Sequence, residues 1–278
     1  MGSPTPPRVA PVPAGTWPPP THRPEPRPGV AAWLRWGVAQ PEPGCAWHDP
    51  VSGVVALVRH RRAYGTGLVV VDPAGDPGTA DAVVDVVRHV GGESGADFVT
   101  VERGPWARAL ADAFPALSAP AEWDWMWTTS APPAVPAEDQ VVPLRADDHA
   151  AITALLAAES PRHSAEPGEA AVRGWLGVRA PDGALIACGA DYEAVPGVPL
   201  LASIAVATTA RGQGLGAAVT ARLTRDALAA GAAAVTIDLY ADNPAARRLY
   251  ERLGYRMALH LASSRFADGP GPAEDSAR

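Results

Sequence analysis

The chain has 278 residues, room for two small domains, with 47% hydrophobic residues and a formal net charge of −7. That balance excludes a general nucleic-acid binder, which needs a basic stripe for the phosphate backbone, and it is compatible with a cationic amine substrate. All 23 cationic side chains are arginine, and Cys45 and Cys188 have no ligand-spaced partner, so neither a metal site nor a disulfide framework is expected.

Residues 1–43 hold 13 of the 31 prolines and little apolar periodicity, so this segment is expected to be largely disordered or extended. Within it, Ala31-Ala32-Trp33-Leu34-Arg35-Trp36 reads either as a short docking helix or as a lead-in that packs two tryptophans on the body. The start lacks the apolar core of a signal peptide, and no apolar run approaches a membrane span. A cytoplasmic location and no membrane partner are therefore expected.

Residues 44–130 form a first predicted domain. Strands are expected at Val54–Arg59 and Gly67–Val71, a helix at Thr79–Val90, a strand at Phe98–Glu102, a helix at Pro105–Phe114 and a strand at Trp123–Thr129. Trp123, Trp125 and Trp127 alternate and so share one strand face, as an aromatic wall for a ligand or as an inter-domain core. Residues 131–139, with Pro132, Pro133 and Pro136, read as a linker.

The second predicted domain, residues 140–268, opens with a strand at Gln140–Arg145 and a helix at Asp147–Glu159. A loop carrying His163 follows, then strands at Trp175–Arg179 and Ala184–Tyr192 around the turn Pro181-Asp182-Gly183. The strand Leu200–Val206 then leads into Arg211-Gly212-Gln213-Gly214-Leu215-Gly216. Leu215, Val219, Leu223 and Leu228 mark an amphipathic helix that ends at Gly231. A glycine-rich turn between strand and helix offers backbone N–H groups and a helix N-terminus to an anion such as a phosphate. A strand at Ala234–Tyr240 precedes a second helix, with Asn243 as its N-cap, Pro244 as its first residue and Gly254 as its stop. Residues 269–278 read as a disordered tail.

Strand, Arg-x-x-Gly-x-Gly, helix, strand, then Asn-x-x-Ala-x-x-Leu-Tyr-x-x-x-Gly-Tyr resembles the acyl-CoA binding half of the GNAT superfamily of N-acyltransferases. The resemblance covers roughly Gln140 to Phe266. The element order from Gly67 recurs from Leu200, which suggests an internal repeat. The expected fold is thus α/β (α+β), a mixed central sheet with flanking helices, GNAT-like, in two tandem units. The first turn, Asp72-Pro73-Ala74-Gly75-Asp76-Pro77-Gly78, carries two acids and no arginine, unsuited to a pyrophosphate. The first unit reads as a degenerate copy or, alternatively, as an unrelated small α/β domain.

The resemblance implies acetyl-CoA as co-substrate, with no metal. Its pyrophosphate would sit on Arg211, Gly212, Gln213, Gly214, Leu215 and Gly216, with Asn243 and Ala246 as further contacts. The pantetheine arm would pair with the backbone of Ile204, Ala205 and Val206, where strands splaying after residue 206 and before 243 open a cleft. The resemblance also implies Tyr250 as the acid that gives a proton or a hydrogen bond to the departing sulfur.

The base is not specified. Many relatives carry a glutamate where this chain has Leu200-Leu201-Ala202-Ser203-Ile204, so the candidates are Glu159, Asp191, Glu193 and Ser203 through a water. An amine near pKa 10.4 makes the question matter, because deprotonation at pH 7 costs about 4.6 kcal/mol. The expected activity is acetyl transfer to a primary amine of a small molecule by direct attack. The alternatives are a non-catalytic acyl-CoA sensor or scaffold and a mycothiol-synthase-like acetylation of a cysteinyl amino-sugar. A homodimer is compatible with the sequence.

Overall fold

The computed structural model describes residues 9–13, 15–19, 26–61 and 65–267. The chain is mixed α/β and divides into two compact units. The first comprises Met1–Asp124, Tyr240–Asp242 and Ala258–Arg278, and the second Trp125–Leu239 and Asn243–Met257.

In the first unit, β1 (Ala10–Pro11) precedes α1 (Pro28–Ala32), a π-helical turn (Trp33–Gly37), β2 (Ala46–His48), β3 (Val55–Arg61) and β4 (Gly65–Val71). After β4 come α2 (Ala80–Ser94), β5 (Phe98–Glu102) and α3 (Pro105–Ala113), and then β6 (Ala121–Thr128), which belongs to the second unit from Trp125 onward. Leu68 to Val71 of β4 are buried without alternation, as a strand covered on both faces requires. β4 runs parallel to β5, with Leu68 opposite Val99. Val83, Val86, Val87 and Val90 of α2 pack on this pair with Trp106 and Leu110 of α3.

The second unit contains β7 (Val142–Leu144), α4 (His149–Glu159), β8 (Val172–Arg179), β9 (Leu185–Val195), β10 (Val198–Val206), α5 (Leu215–Ala229), β11 (Val235–Tyr240) and α6 (Pro244–Arg252). β12 (Arg256–Arg265) enters the first unit from Ala258. Strands β7 to β10 are joined as antiparallel neighbours, while β10 and β11 are parallel. One core lies under α5, built on Leu215, Val219, Leu223, Ile237 and Tyr250; another lies under α4, built on Ile152, Leu156, Trp175 and Cys188.

The element order of β4-α2-β5-α3-β6 recurs as β10-α5-β11-α6-β12. The last strands are exchanged between the units. The first unit's strands run in the order β1-β2-β3-β4-β5-β12 and the second's β6-β11-β10-β9-β8-β7. In the first unit Leu261 pairs with Glu102 and Arg265 with Phe98. The expected boundaries at residues 130 and 140 are therefore corrected: the division falls at Asp124 and Trp125, and the C-terminal strand serves the first unit from Ala258.

Three further expectations change. Residues 26–43 are not largely disordered, since Val30, Trp33 and Leu34 are buried at helical spacing; residues 1–8, 14 and 20–25 lie outside the described residues, as does the tail from residue 268. The segment expected as a linker packs within the second unit. There Arg225 donates to both carboxylate oxygens of Glu138 and to the carbonyl of Pro132. The tryptophan face is no open wall, because Trp125 is buried, the Trp123 indole N–H donates to Ser263 Oγ, and the Arg256 guanidinium lies 5.4 Å from the centre of the Trp127 ring.

Candidate functional site

The middle of β10 is where the second unit departs from regular sheet. Ala202 pairs with Ala190 and Ala205 with Cys188 of β9, so Ser203 and Ile204 together oppose Gly189 in a bulge. Ser203 has a φ of 53°, and its hydroxyl accepts from Ala165 N at 2.9 Å and donates to Ala165 O at 3.0 Å. That reciprocal clamp holds a non-glycine residue in the left-handed region. A side chain on Gly189 would collide with Ile204, its first carbon lying 2.4 Å from Ile204 Cδ1. With both sides of its hydroxyl engaged, Ser203 is a structural clamp rather than a water-mediated base.

Registered pairing of β10 with β11 covers Leu200 with Thr236 and Leu201 with Ile237. The strands therefore part after Leu201, earlier than the expected divergence after residue 206. From Ala202 onward the β10 backbone, including Ile204, Ala205 and Val206, runs past the last registered pair with β11.

Beyond β10, a 3-10 turn at Thr208–Ala210 leads into the glycine turn. Gly212 and Gly214 have φ of 80° and 79°, conformations that suit glycine, and a side chain on either would point into open space. Gly214 also opens α5: the first helical bond runs from Ala218 N to Gly214 O, so the N–H groups of Leu215, Gly216 and Ala217 have no acceptor within the helix. No acidic side chain occupies that first turn. Gly212, Gln213 and Gly214 are exposed, whereas Leu215 is anchored in the core.

Arg211 is engaged within the chain. Its Nη2 donates to Glu159 Oε2 at 2.7 Å, and Glu159 also accepts from Thr208 N at 2.8 Å and Thr208 Oγ1 at 2.7 Å. The Thr208 N–H and hydroxyl, with the Arg211 charge, hold this carboxyl below the usual carboxylate range. Glu159 is therefore a weak base with its oxygens engaged, a correction to its expected role. Glu193 is corrected too: it accepts from Gly197 N in the β9–β10 turn and lies 3.6 Å from Arg173 Nη1, at the end of β10 remote from the glycine turn. Asp191 is taken by a two-pronged contact from Arg173 Nη2. His163 has both ring nitrogens occupied, by Ser160 O at 2.8 Å and by Glu166.

α6 begins as its sequence dictates, with Asn243 Oδ1 accepting from Ala246 N at 3.0 Å and Pro244 in the first turn. Leu253 ends it and Gly254 follows at φ 90°. Tyr250 faces the core at 6% exposure, its ring 6.0 Å from that of Tyr255. The two phenols differ: Tyr255 is joined to Thr224 Oγ1 at 2.7 Å, whereas the Tyr250 hydroxyl has no hydrogen-bond partner among the described residues. Burial pushes the Tyr250 phenol well above its ordinary value, so it stays protonated across the physiological range.

These elements converge on Gly216. A methyl group built there would stand 3.5 Å from Val206 Cγ2 and 3.6 Å from Leu249 Cδ1. The first turn of α5 thus touches the end of β10 and the residue before Tyr250. Cys188 is close to the bulge but buried, its thiol pushed up to about 12 by burial, so it is no ready nucleophile. Among the described residues no three His, Cys, Asp or Glu come together as metal ligands, and no helix is long and apolar enough to cross a membrane.

The comparisons with known proteins agree with this geometry. Residues 123–255 match the model of the Acetyltransferase (GNAT) family. A solved GCN5-related N-acetyltransferase from Sphaerobacter thermophilus is similar over 85% of this chain and 83% of its own, with 18% identity and a TM-score of 0.53. Another, from Kribbella flavida, is similar over 78% of this chain and 87% of its own, with 20% identity and a TM-score of 0.50. At these identities the likeness shows the fold. No curated protein matches the chain. The family match supports acyl transfer from an acyl-CoA in general terms.

Proposed function

We propose that the second unit transfers an acetyl group from acetyl-CoA to the primary amine of a small molecule, by direct attack in a ternary complex. The observation that carries this reading is the convergence on Gly216 of the glycine turn, the end of β10 and the helix bearing Tyr250. The residues fit acyl-CoA: the turn is exposed, free of acids, and rich in unsatisfied N–H groups at the start of a 15-residue helix. Gly212, Gln213, Gly214, Leu215 and Gly216 would hold the pyrophosphate through backbone N–H groups, with up to about 2 kcal/mol from the helix dipole in a partly buried geometry. Ile204, Ala205 and Val206 would pair with the pantetheine arm, and Asn243 and Ala246 would flank it. Arg211 supports the turn through Glu159, and the remaining donors of its exposed guanidinium would serve a phosphate.

Acetyl-CoA supplies an activated thioester; in the transfer a C–N bond forms, the C–S bond breaks and the amine loses a proton. Tyr250 keeps its proton and has no competing partner, which suits it to donate a hydrogen bond to the departing sulfur. Complete transfer is unfavourable, since a phenol above 10 facing a thiol near 8.5 costs more than about 2 kcal/mol. With Glu159 and Glu193 engaged by other partners, the amine would enter neutral through its own equilibrium.

The engagement of Glu159, Asp191 and Glu193 with other partners favours one second reading, a non-catalytic acyl-CoA sensor. Calorimetric titration with acetyl-CoA followed by thiol release across an amine panel separates the two. One-site binding with amine-dependent release supports the enzyme, whereas binding without release on a broad panel supports the sensor. The first unit is proposed as a GNAT-like copy that has lost the acyl-CoA turn.

A further inference from the structure

In the first unit the parallel strands β4 and β5 end side by side, with Asp72 just after β4 and Glu102 at the end of β5. The chemistry there is opposite to that of the glycine turn. Asp72 is buried and accepts from Ala74 N at 2.9 Å, Asp76 N at 2.7 Å and Thr79 Oγ1 at 2.9 Å, so the turn's donors point inward to a carboxylate. Thr79 Oγ1 in turn accepts from Trp106 Nε1 at 3.0 Å. No donor set is left there for an anion.

A cation fills the position instead. Arg27, just before α1, donates through Nη2 to Glu102 Oε1 at 2.6 Å and to the Asp72 carbonyl at 3.5 Å, while its main-chain N–H donates to Pro73 O at 2.9 Å. The Glu102 side chain is only 8% exposed. Gly75 lets the guanidinium lie flat against the turn, because a side-chain carbon there would come 2.2 Å from Arg27 Nε and 2.5 Å from Cζ. A buried carboxylate and a carbonyl accept from one guanidinium nitrogen, and the bare Cα of Gly75 leaves the space that Nε and Cζ occupy, room that suits a flat guanidinium.

We infer that the turn after β4 and Glu102 form an alkylguanidinium-binding site that the chain fills with its own Arg27. The segment from Arg27 to Val38 is then a tethered occupant, anchored by Val30, Trp33 and Leu34, and an arginine from elsewhere is the kind of ligand that competes for the site. Burial pushes the Glu102 carboxyl up and Arg27 opposes that push, as a carboxylate kept for a cationic partner requires.

The test is chemical rescue in the full-length chain. Arg27→Ala should lower the thermal midpoint, and millimolar ethylguanidinium should restore several degrees, with ethylammonium at equal ionic strength restoring little. Wild type and the double variant Arg27→Ala, Glu102→Gln should gain nothing from ethylguanidinium. Equal shifts in all three proteins, or equal effects of the two cations, would overturn the inference. Where Arg27→Ala does not accumulate folded, refolding with each cation gives the same comparison: soluble protein recovered with ethylguanidinium alone supports the site, and no recovery overturns it.

Discussion

Arg211 donates to Glu159 across a 2.7 Å contact that links the glycine turn to the end of α4. The arginine expected to meet a phosphate is thus held by the carboxylate expected to serve as base. With Thr208 as a third member, the pair fixes the approach from β10 to the turn.

Glu159→Gln should therefore raise KM for acetyl-CoA several-fold and leave kcat nearly unchanged. A base at this position predicts the reverse, a loss of about 100-fold or more in kcat with little change in KM. Steady-state kinetics at saturating amine separate the two. The sign of the pH effect follows from the lowered carboxyl pKa: stabilisation of the turn by Glu159 is fully present above the ordinary value of 4.5 and is lost as pH falls through the folded value. Affinity for acetyl-CoA, followed by calorimetry at decreasing pH, should weaken in that acid window.

Gly214 and Gly216 of the turn should respond differently. Gly214→Glu should abolish acetyl-CoA binding through bulk and charge, and Gly214→Ala should cost about 1–2 kcal/mol for a left-handed non-glycine residue. Gly216→Ala has helical backbone and room for its methyl group, so affinity should persist and stability should rise by up to about 1 kcal/mol. Titration calorimetry with thermal melts of the three variants checks the contrast, and a dead Gly216→Ala would count against the placement of the turn.

Tyr250→Phe should lower kcat about tenfold to hundredfold while the acetyl-CoA Kd stays near that of wild type. Because the hydroxyl bonds no described residue, the melting temperature should hardly move. Unchanged turnover would remove Tyr250 from the mechanism.

Ser203→Ala removes both hydrogen bonds to Ala165, which is fully buried. Leaving those backbone groups unpaired should cost about 1–3 kcal/mol, visible as a lower urea midpoint. An unaltered midpoint would show that the bulge does not depend on the clamp.

Without a carboxylate base, kcat/KM for an alkylamine should rise about tenfold per pH unit from neutrality toward the amine pKa near 10.4. A plateau set by a group on the protein near neutrality would reveal a base that the geometry does not identify.

The parts of this molecule that were legible in the sequence are those whose contacts are local. Asn243 caps Ala246 three residues on, Gly214 opens α5, and Gly254 follows the end of α6; each signal and its partner lie within one turn. The clamps on the site were not legible because their partners are far along the chain: Ser203 meets Ala165, and Glu159 meets Thr208 and Arg211. The helical spacing of Val30, Trp33 and Leu34 was hidden beneath a proline count averaged over the whole segment. Strand exchange was invisible for another reason: β6 and β12 both read as good strands, and nothing in either one's own residues states which neighbour it will take.

That exchange sets an order on how the protein comes into being. Until β12 is available, β5 has β4 on one side and an unpaired edge on the other. Its partner residues leave the ribosome roughly 160 residues after Glu102, a delay of about 8–30 s at ordinary rates of synthesis. The first unit is therefore begun first and finished last, and a nascent chain stalled before β12 would display an open strand edge for chaperones, or for another nascent chain, to bind.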